Sequence, residues 1–306
     1  MADVRLIYEG TDITNDVDVT KCVCDDVSGG SDCVHLTLDN AENWLRWGPQ
    51  MNDEIRVQLD NYDSGLMYMN TVVSENGRFQ ILATSMKCGL KRVADVSYAE
   101  KTLLQILSLN AAECEMGANI YGLDGATRFD YLIRERETAP VFMARLAQSE
   151  GAILKAVNGN FALIGIGYAQ ELDAIDTITP NDVDGGIRYT GRPDARWSSV
   201  RIISPLCSAS ATDSAASGVI QRLSNLSVTT DAQAKRWAIG ELLSHNRQAE
   251  AIEYKIDFNP AYTTAARVDV SAEDNTGGSW IIEKVRHDLT DEKTFVKLLR
   301  CVSTVQ

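Results

Sequence analysis

The chain has 306 residues and carries 43 acidic against 29 basic side chains, which gives a formal net charge of −14. Its 44% hydrophobic residues are enough to bury a core, which excludes a disordered polymer, and its length suggests two or three domains. The acidic balance excludes a nonspecific nucleic-acid binder and a protein that docks on an anionic membrane, because both need a basic face.

Membrane insertion and export are not indicated by the sequence. The longest apolar run, residues 161–167, is far shorter than the roughly 20 residues that a spanning helix needs. No basic stretch followed by an apolar one opens the chain, so we expect no signal peptide. The seven cysteines are odd in number and scattered, which is typical of a reduced, cytoplasmic protein.

Residues 1–95 are predicted to form a small β-barrel or a β-sandwich. Short segments with period-2 alternation are separated by turn-like sequences, and Asn76-Gly77 is a strong signal for a two-residue hairpin loop. Residues 1–90 hold 15 acidic and 6 basic side chains, so this part carries most of the excess negative charge. The predicted strands are 4–8, 34–38, 55–59 and 79–82.

Residues 96–167 change period and are predicted to form a small α/β module. Apolar residues recur at helical spacing in two segments, and each segment has a capping signal at its start. Pro140 fits the first turn of the second helix, where a missing N–H costs nothing. The predicted elements are a helix over 99–113 with a capping box at 97–100, a helix capped by Thr138, and a hairpin of 152–157 and 160–166.

Residues 168–306 are predicted to return to strands, with one inserted helix. That helix follows the capping-box pattern of Thr230 and Gln233 and has an apolar face. Segment 207–217 is small and polar, which is typical of a mobile loop. The predicted strands are 188–190, 198–203, 218–223, 252–258, 266–270, 279–287 and 293–301. The predicted fold class is therefore β-rich α+β, with β-rich ends around a small α/β module.

Catalytic motifs for common hydrolases, nucleotide-binding enzymes and zinc proteases are missing from the sequence. A glycosidase-type carboxylate pair follows no spacing rule, so that alternative stays open. Carboxylate pairs such as 25/26 and 291/292 lie in turn-like contexts, where aspartate is favoured for local hydrogen bonds. The histidines are interpreted as surface or strand-edge residues: His35, His245 and His287. We predict no catalytic residue and no cofactor.

Three cysteines and a histidine flank one predicted turn. If Cys24 faces Cys33 in a hairpin, Cys22 faces His35, and the four side chains form a Cys₃His set of zinc ligands. Alternate residues on a strand lie roughly 6–7 Å apart, however, and structural zinc sites favour C-x₂-C spacing. The alternative is small side chains on the barrel's second face, with a labile Cys24–Cys33 pair and a core of Val23, Val34 and Leu36. We predict no metal site, and metal analysis would decide.

Trp44 and Trp47 in the segment 43–49 have two interpretations. Aromatic side chains concentrate at protein contacts, so the pair could anchor a partner. They could equally cover the core at a barrel corner. The sequence leaves both alternatives open.

A collinear series of short motifs runs through most of the chain. Each motif alone is weak, and their order is the specific feature. In the first part they are Gly10-Thr-Asp-Ile-Thr14, Ser31-Asp32 with 34–38, Trp47-Gly-Pro with Asp53, Ser64-Gly65 and 79–85. Further on they are Lys101-Thr-Leu-Leu, 131–137, 142–147, Glu150-Gly151, 231–234, 278–283 and His287. The series resembles the phage late control protein D family, the baseplate hubs of contractile tails, defective prophages and phage-tail-like bacteriocins.

Two features depart from that family's pattern. The cysteines at 22, 24 and 33 are not typical of it. The stretch 260–270 lacks the glycine expected before the last barrel strands.

The resemblance implies a structural protein. Such hubs are homotrimers in which each subunit resembles two tail-tube barrels, so that three subunits mimic a six-fold ring. The resemblance thus implies two tube-like β-barrel domains, at 1–95 and 168–306, with the small α/β module of 96–167 between them. One face continues the hexameric tail tube and the other seats the trimeric central spike. The expected partners are the tube, the spike, and other baseplate and tape-measure proteins, with no direct nucleic-acid or membrane contact. We expect synthesis in the bacterial cytoplasm and assembly into a phage tail or tail-like particle.

Two alternatives to a hub come from other classes of protein. A tail-associated cell-wall hydrolase would need an appended domain, and nearly every segment is already assigned to a hub module. An unrelated β-rich binding module would fail to assemble with any tube or spike protein. For a hub, the acidic residues of 1–90 suggest a further hypothesis: carboxylates that line the channel would repel a passing polyanion or acidic protein.

Overall fold

A computed structural model describes residues 4–39, 42–75, 77–90, 92–224 and 227–306. The protein is 48% strand and 17% helix and contains several sheets, which confirms the predicted β-rich α+β fold class. Among the described residues, no helix combines the length and the apolar character needed to cross a membrane.

The first part of the chain is almost entirely β-structure. Inward-facing residues of its strands alternate with exposed ones, as a sheet wrapped around a single core requires. Its elements are β1 (Arg5–Tyr8), β2 (Thr11–Asp12), β3 (Asp18–Val27), β4 (Cys33–Asp39), α1 (Glu42–Arg46), β5 (Glu54–Leu59), β6 (Tyr62–Asp63), β7 (Met67–Glu75) and β8 (Arg78–Thr84).

The middle of the chain alternates strands and helices. Asn158 and Gly159 both have positive φ values, 47° and 72°, and form the two-residue hairpin loop that their sequence predicts. The elements are β9 (Ala94–Thr102), α2 (Leu103–Ala112), β10 (Gly117–Tyr121), β11 (Arg128–Glu137), α3 (Ala139–Ser149), β12 (Ala152–Val157), β13 (Asn160–Gly165) and α4 (Ile166–Glu171).

The last part returns to strands, with one long helix. Thr230 accepts a hydrogen bond from the Gln233 backbone N–H and caps that helix as predicted. The elements are β14 (Ala174–Ile178), β15 (Arg188–Gly191), β16 (Ser199–Ile203), β17 (Ser208–Thr212), β18 (Ile220–Ser224), α5 (Asp231–Asn246), β19 (Glu250–Asp257), β20 (Arg267–Val270), β21 (Gly278–Asp288) and β22 (Lys293–Arg300), with 3₁₀ turns at Pro193–Ala195 and Arg247–Ala249.

One 14-stranded sheet joins the first and last parts of the chain. Its strand order is β15-β19-β22-β21-β3-β4-β8-β7-β5-β1-β2, and β6, β20 and β14 branch from it. The antiparallel pairing of β3 with β21 is the junction between the two halves. Three small sheets serve the middle of the molecule: β10-β13-β12, β11-β9 and β17-β16-β18.

Three large hydrophobic clusters lie beneath these sheets. The first gathers residues of β1–β8 together with Leu289, which reaches over from the turn after β21. The second lies under β14, β15 and β19–β22 and includes the buried Trp280. The third combines α2 and α3 with α5 and the β16–β17 strands, so residues near 200–242 share a core with residues near 98–163. The division at 95 and 167 stays a prediction.

Most predicted elements are confirmed, and two predictions are wrong. The first helix begins at Leu103 and not at 99, because residues of β9 pair with β11 and the capping box is formed by Thr102 and Gln105. The predicted loop 207–217 contains β17, which pairs with β16 and packs on α5. In the hairpin predicted at Asn76-Gly77, β7 and β8 pair as far as Glu75 and Arg78; Asn76 itself lies outside the described residues.

Candidate assembly surfaces

The seam between the two halves is a continuous stretch of antiparallel sheet. Val23 faces Asp288 and Val27 faces Lys284 across it. On its outer face Arg286 holds Asp25 with two hydrogen bonds of 2.7 and 2.8 Å. Burial works to raise the pKa of Asp25, but these bonds and the Lys284 ammonium 3.7 Å away outweigh it, so the pKa is lowered. Asp25 therefore stays ionised and links the two halves.

The inner side of the seam carries a buried polar junction centred on Asp26. The ammonium group of Lys155, on β12, lies 2.7 Å from both oxygens of its carboxylate. The hydroxyl groups of Thr263 and Thr264 donate to the same carboxylate at 2.7 and 2.5 Å. One aspartate thus connects the first strands, the middle sheet and the loop before β20.

A second carboxylate, Asp32, lies beside this junction with little charge compensation. It is 5% exposed, and the Lys155 nitrogen is 3.9 Å away. Burial and the neighbouring Asp26 carboxylate raise the pKa of Asp32 to about 7. By contrast, burial works to raise the pKa of Asp26, but the Lys155 charge and the hydroxyl donors keep it lowered. Lys155 therefore mainly compensates Asp26.

His287 completes the inner side of the seam. Its ring nitrogens lie 3.0 Å from the Thr294 hydroxyl and 3.1 Å from the Tyr262 carbonyl oxygen, and burial lowers its pKa. The Tyr62 and Phe258 rings pack on it at 4.9 and 5.5 Å between centroids. A neutral histidine that is hydrogen-bonded on both sides is a structural group here.

The four candidate metal ligands do not share a face. Cys24 pairs with Val34 and Cys22 with Leu36, so both cysteines point into the first core. Cys33 and His35 point to the opposite face. The conditional Cys₃His arrangement and the Cys24–Cys33 pair are therefore wrong, because the β3–β4 register differs by one residue from the one they need.

Asp25, Cys33 and His35 instead form a small cluster on the outer face, with ligand atoms within 4.8 Å of one another. Both the Cys33 sulfur, at 3.5 Å, and the Asp25 carboxylate, at 3.9 Å, face the Nε2 atom of His35. A catalytic triad instead uses the two different ring nitrogens. Burial and Asp25 raise the pKa of Cys33 to about 11, the opposite of an activated thiol. Arg286 and Lys284 beside Asp25 oppose a bound cation.

Trp44 in α1 and Trp47 just after it have different environments. Trp44 is fully buried and its ring lies 5.0 Å from that of Tyr8. Trp47 is 38% exposed, and its ring stacks on that of Tyr8 with 6.2 Å between the centroids. Trp44 therefore covers the core, whereas Trp47 is available at the surface. His245, the remaining histidine, stacks on Trp197 at 3.5 Å.

Six acidic residues of the first part are buried or paired within the chain. Asp25, Asp26 and Asp32 are buried or nearly buried at the seam. Near the surface, arginines bind three further carboxylates, in the pairs Arg5–Asp12, Arg56–Asp63 and Arg78–Asp39. The sequence does not indicate these pairs, because each joins residues of two different strands and depends on how the strands lie side by side.

Comparisons with known proteins identify the fold. No family model and no curated protein matches the chain. Among solved structures, a 43 kDa tail protein of prophage MuSo2 from Shewanella oneidensis matches with a TM-score of 0.74 and 17% identity, over 98% of both chains. The fold is that of phage tail proteins.

Two other solved structures extend this likeness. A tail protein from Neisseria meningitidis MC58 has a TM-score of 0.74 and 13% identity, over 97% of this chain and 96% of its own. An E. coli component of the type VI secretion system, described as similar to the T4 tail proteins gp27 and gp5, has a TM-score of 0.58 and 10% identity, over 94% of this chain and 74% of its own. The tail-protein fold thus extends over nearly the whole chain.

Proposed function

We propose that this chain is the baseplate hub of a phage tail or tail-like injection particle. In this role it is a homotrimeric, non-enzymatic adaptor between the hexameric tail tube and the trimeric central spike. It is made in the bacterial cytoplasm and assembled with other baseplate and tape-measure proteins. The observation that carries the proposal is the β3–β21 seam, which holds two sheet-wrapped cores side by side within one subunit.

Symmetry is the physical reason for two cores in one chain. Three copies of a subunit with two similar β-rich units present six units around a ring, while the assembly keeps three-fold symmetry on its other face. Such an adaptor needs a rigid connection between its two units. The seam supplies this through strand pairing, the Arg286–Asp25 pair and the Lys155–Asp26 pair.

A non-catalytic role agrees with the chemistry of the described titratable groups. Asp25 and Asp26 are ion-paired, His287 is buried and hydrogen-bonded on both sides, and the Cys33 thiol is held protonated. Each of these groups serves the packing of the chain. The likeness in fold to the MuSo2 and Neisseria tail proteins supports a structural role in a tail.

The oligomeric state and the two partners test the proposal together. Light scattering on the purified chain should give a mass three times 33.6 kDa, either alone or after mixing with the tube and spike proteins of the same particle. Electron microscopy of the mixture should show the ring between tube and spike. A protein that stays monomeric at every concentration and with both partners would contradict the proposal.

Within this proposal, the channel hypothesis concerns the exposed acidic residues of 1–90 that face the lumen of the assembled ring. Their neutralisation should leave trimer formation intact and hinder passage through the particle. If these side chains lie on the outer wall of the ring, the same variants change only solubility.

A further inference from the structure

The outer face of the seam has a groove that no part of the described chain occupies. The adjacent strands β19, β22, β21 and β3 line it, and its volume is about 560 Å³. We call it the seam groove. It crosses the junction of the two halves, so its shape depends on the β3–β21 pairing.

The charge of the seam groove is opposite to that of the chain. Five basic and three acidic side chains line it, in a protein with net charge −14: Lys21, Lys255, Lys284, Arg286 and Lys297 against Asp184, Glu253 and Asp288. Among the acidic side chains, Asp184 is bound by Lys293 at 2.8 Å and Asp288 accepts from backbone N–H groups of its own turn. The groove therefore has a surplus of positive charge.

Two of the basic side chains are free to bind a ligand. Lys21 and Lys297 are exposed, and within the described part of the chain no carboxylate lies within 4.0 Å of either ammonium group. By contrast, Lys284 and Arg286 both face Asp25. On β22, Lys297 pairs with Lys284 of β21. On β3, Val23 pairs with Asp288 of β21, and Lys21 lies two residues further along. The strand rise places the two free lysines roughly 20 Å apart along β21.

The centre of the groove is apolar. Phe295 is 42% exposed, and Val23 of β3 also lines the groove. The Lys255 ammonium lies 5.4 Å from the centroid of the Phe295 ring, which fixes one side of it. A ligand that fits has anionic groups at both ends and an apolar middle, over about six to eight extended residues.

We propose that the seam groove binds an extended acidic peptide segment of a partner protein, with carboxylates at Lys21 and Lys297 and an apolar side chain on Phe295. A nucleic acid fits less well, because its evenly spaced phosphates would meet Glu253 and Asp288 between the basic side chains, whereas such a peptide carries carboxylates only at its ends. The inference does not depend on the proposed hub role.

A fluorescent peptide, Glu-Glu-Val-Leu-Leu-Val-Glu-Glu, tests the groove directly by fluorescence anisotropy on the full chain. We expect saturable binding that weakens with salt, and at least tenfold weaker binding to the K21E/K297E double variant. The matched control is R92E/K101E, which changes the charge equally at exposed positions outside the groove and should bind within twofold of the parent. Thermal unfolding checks that both variants are folded.

Four outcomes would overturn the proposal. These are no saturable binding, equal loss in both double variants, tighter binding of an eight-residue oligothymidine, and equal binding of a peptide with lysine in place of glutamate. A change in oligomeric mass confined to K21E/K297E would instead assign the groove to a second copy of the chain and also overturn the peptide assignment.

Discussion

The ammonium group of Lys155 lies 2.7 Å from both carboxylate oxygens of Asp26, although the two residues are 129 positions apart. Both side chains are largely buried, at 7% and 16% exposure. A buried pair of this kind adds little over an apolar pair, but loss of one partner leaves the other charge without compensation. The pair therefore makes the packing of the middle sheet on the seam specific.

Substitution of Lys155 tests this coupling. We expect Lys155→Met to lower the free energy of unfolding by about 3–5 kcal/mol, because Asp26 and Asp32 then remain buried without a counter-charge. The measurement is urea unfolding at pH 7.5. The matched control is Lys87→Met, which removes an exposed pair with Glu115 at 2.8 Å and should cost less than about 1 kcal/mol.

A double variant separates charge from packing. Lys155→Met with Asp26→Asn should lose clearly less stability than the sum of the two single variants, since no buried charge is left unpaired at Asp26. Strict additivity of the two changes would show that the pair does not couple the middle sheet to the seam.

Asp32 gives the stability of the fold a distinct pH dependence. Its pKa is about 7 in the folded protein, above its ordinary value of 3.8, so between these values the folded state holds a proton that the unfolded state has released. The stability contribution of Asp32 therefore falls as the pH rises from about 4 to 7. Asp32→Asn removes this loss. Between pH 5 and pH 8, its free energy of unfolding should therefore rise relative to that of the parent by on the order of 2 kcal/mol.

The difference between Asp32→Asn and the parent is measured by urea unfolding at pH 5 and pH 8. Comparison with the variant cancels the pH dependence that other groups at the seam give to the stability. The lowered pKa of His287 makes the stability rise with pH below about 6.5, and the lowered pKa of Asp26 acts at lower pH. A difference that stays constant between the two pH values would show that Asp32 is ionised throughout.

The contact between α3 and α5 depends on a glycine. A Cβ atom at Gly240 would lie 2.1 Å from the Ser149 carbonyl oxygen and 2.5 Å from the Gly151 nitrogen, both of them backbone atoms. Gly240→Ala should therefore push α5 away from the backbone at the end of α3. We expect this overpacking to destabilise the protein by about 2–4 kcal/mol.

A second glycine in a helix is the control for this prediction. A Cβ at Gly167, in α4, meets no atom within 4 Å, so Gly167→Ala should be neutral or stabilise by about 0.5–1 kcal/mol through helix propensity. Thermal unfolding compares the two variants. Similar melting temperatures for both would mean that α5 can shift without cost.

Local signals in the sequence predict those parts of the fold that depend on neighbouring residues. The Thr138 and Thr230 caps and the Asn158-Gly159 hairpin loop are determined within one turn of the chain, and each is found where predicted. The segment 99–102 illustrates the limit. It has helical periodicity, but pairing with β11 makes it a strand, and that pairing is a tertiary interaction.

The seam could not be predicted for the same reason. Asp25 and Arg286 are 261 positions apart, and no periodicity in either segment indicates that β3 and β21 are neighbours. The face of each cysteine also depends on a register irregularity between Val19 and Lys21 in the β3–β4 pair. A shift of one residue reverses which side chains are buried, so a motif of alternate cysteines leaves the ligand set undetermined.

The placement of the cysteines predicts an order of thiol reactivity. Cys22 and Cys24 are buried in the first core and Cys33 is partly exposed on the opposite face. Burial raises the pKa of both Cys33 and Cys301 to about 11, so little of their reactive thiolate exists at pH 8. We expect iodoacetamide to alkylate Cys33 slowly at pH 8 and on the order of 100-fold faster at pH 10, with Cys22 and Cys24 protected at both.

Peptide mass spectrometry after timed alkylation measures each site separately, and the unfolded protein in urea supplies the matched reference rate. The same digest, after mild oxidation, should contain no peptide that joins Cys24 to Cys33, because the two sulfurs point to opposite faces of the sheet. Such a cross-linked peptide from protein that is still folded would show that β3 and β4 adopt the alternative register, in which the four side chains at 22, 24, 33 and 35 face one another.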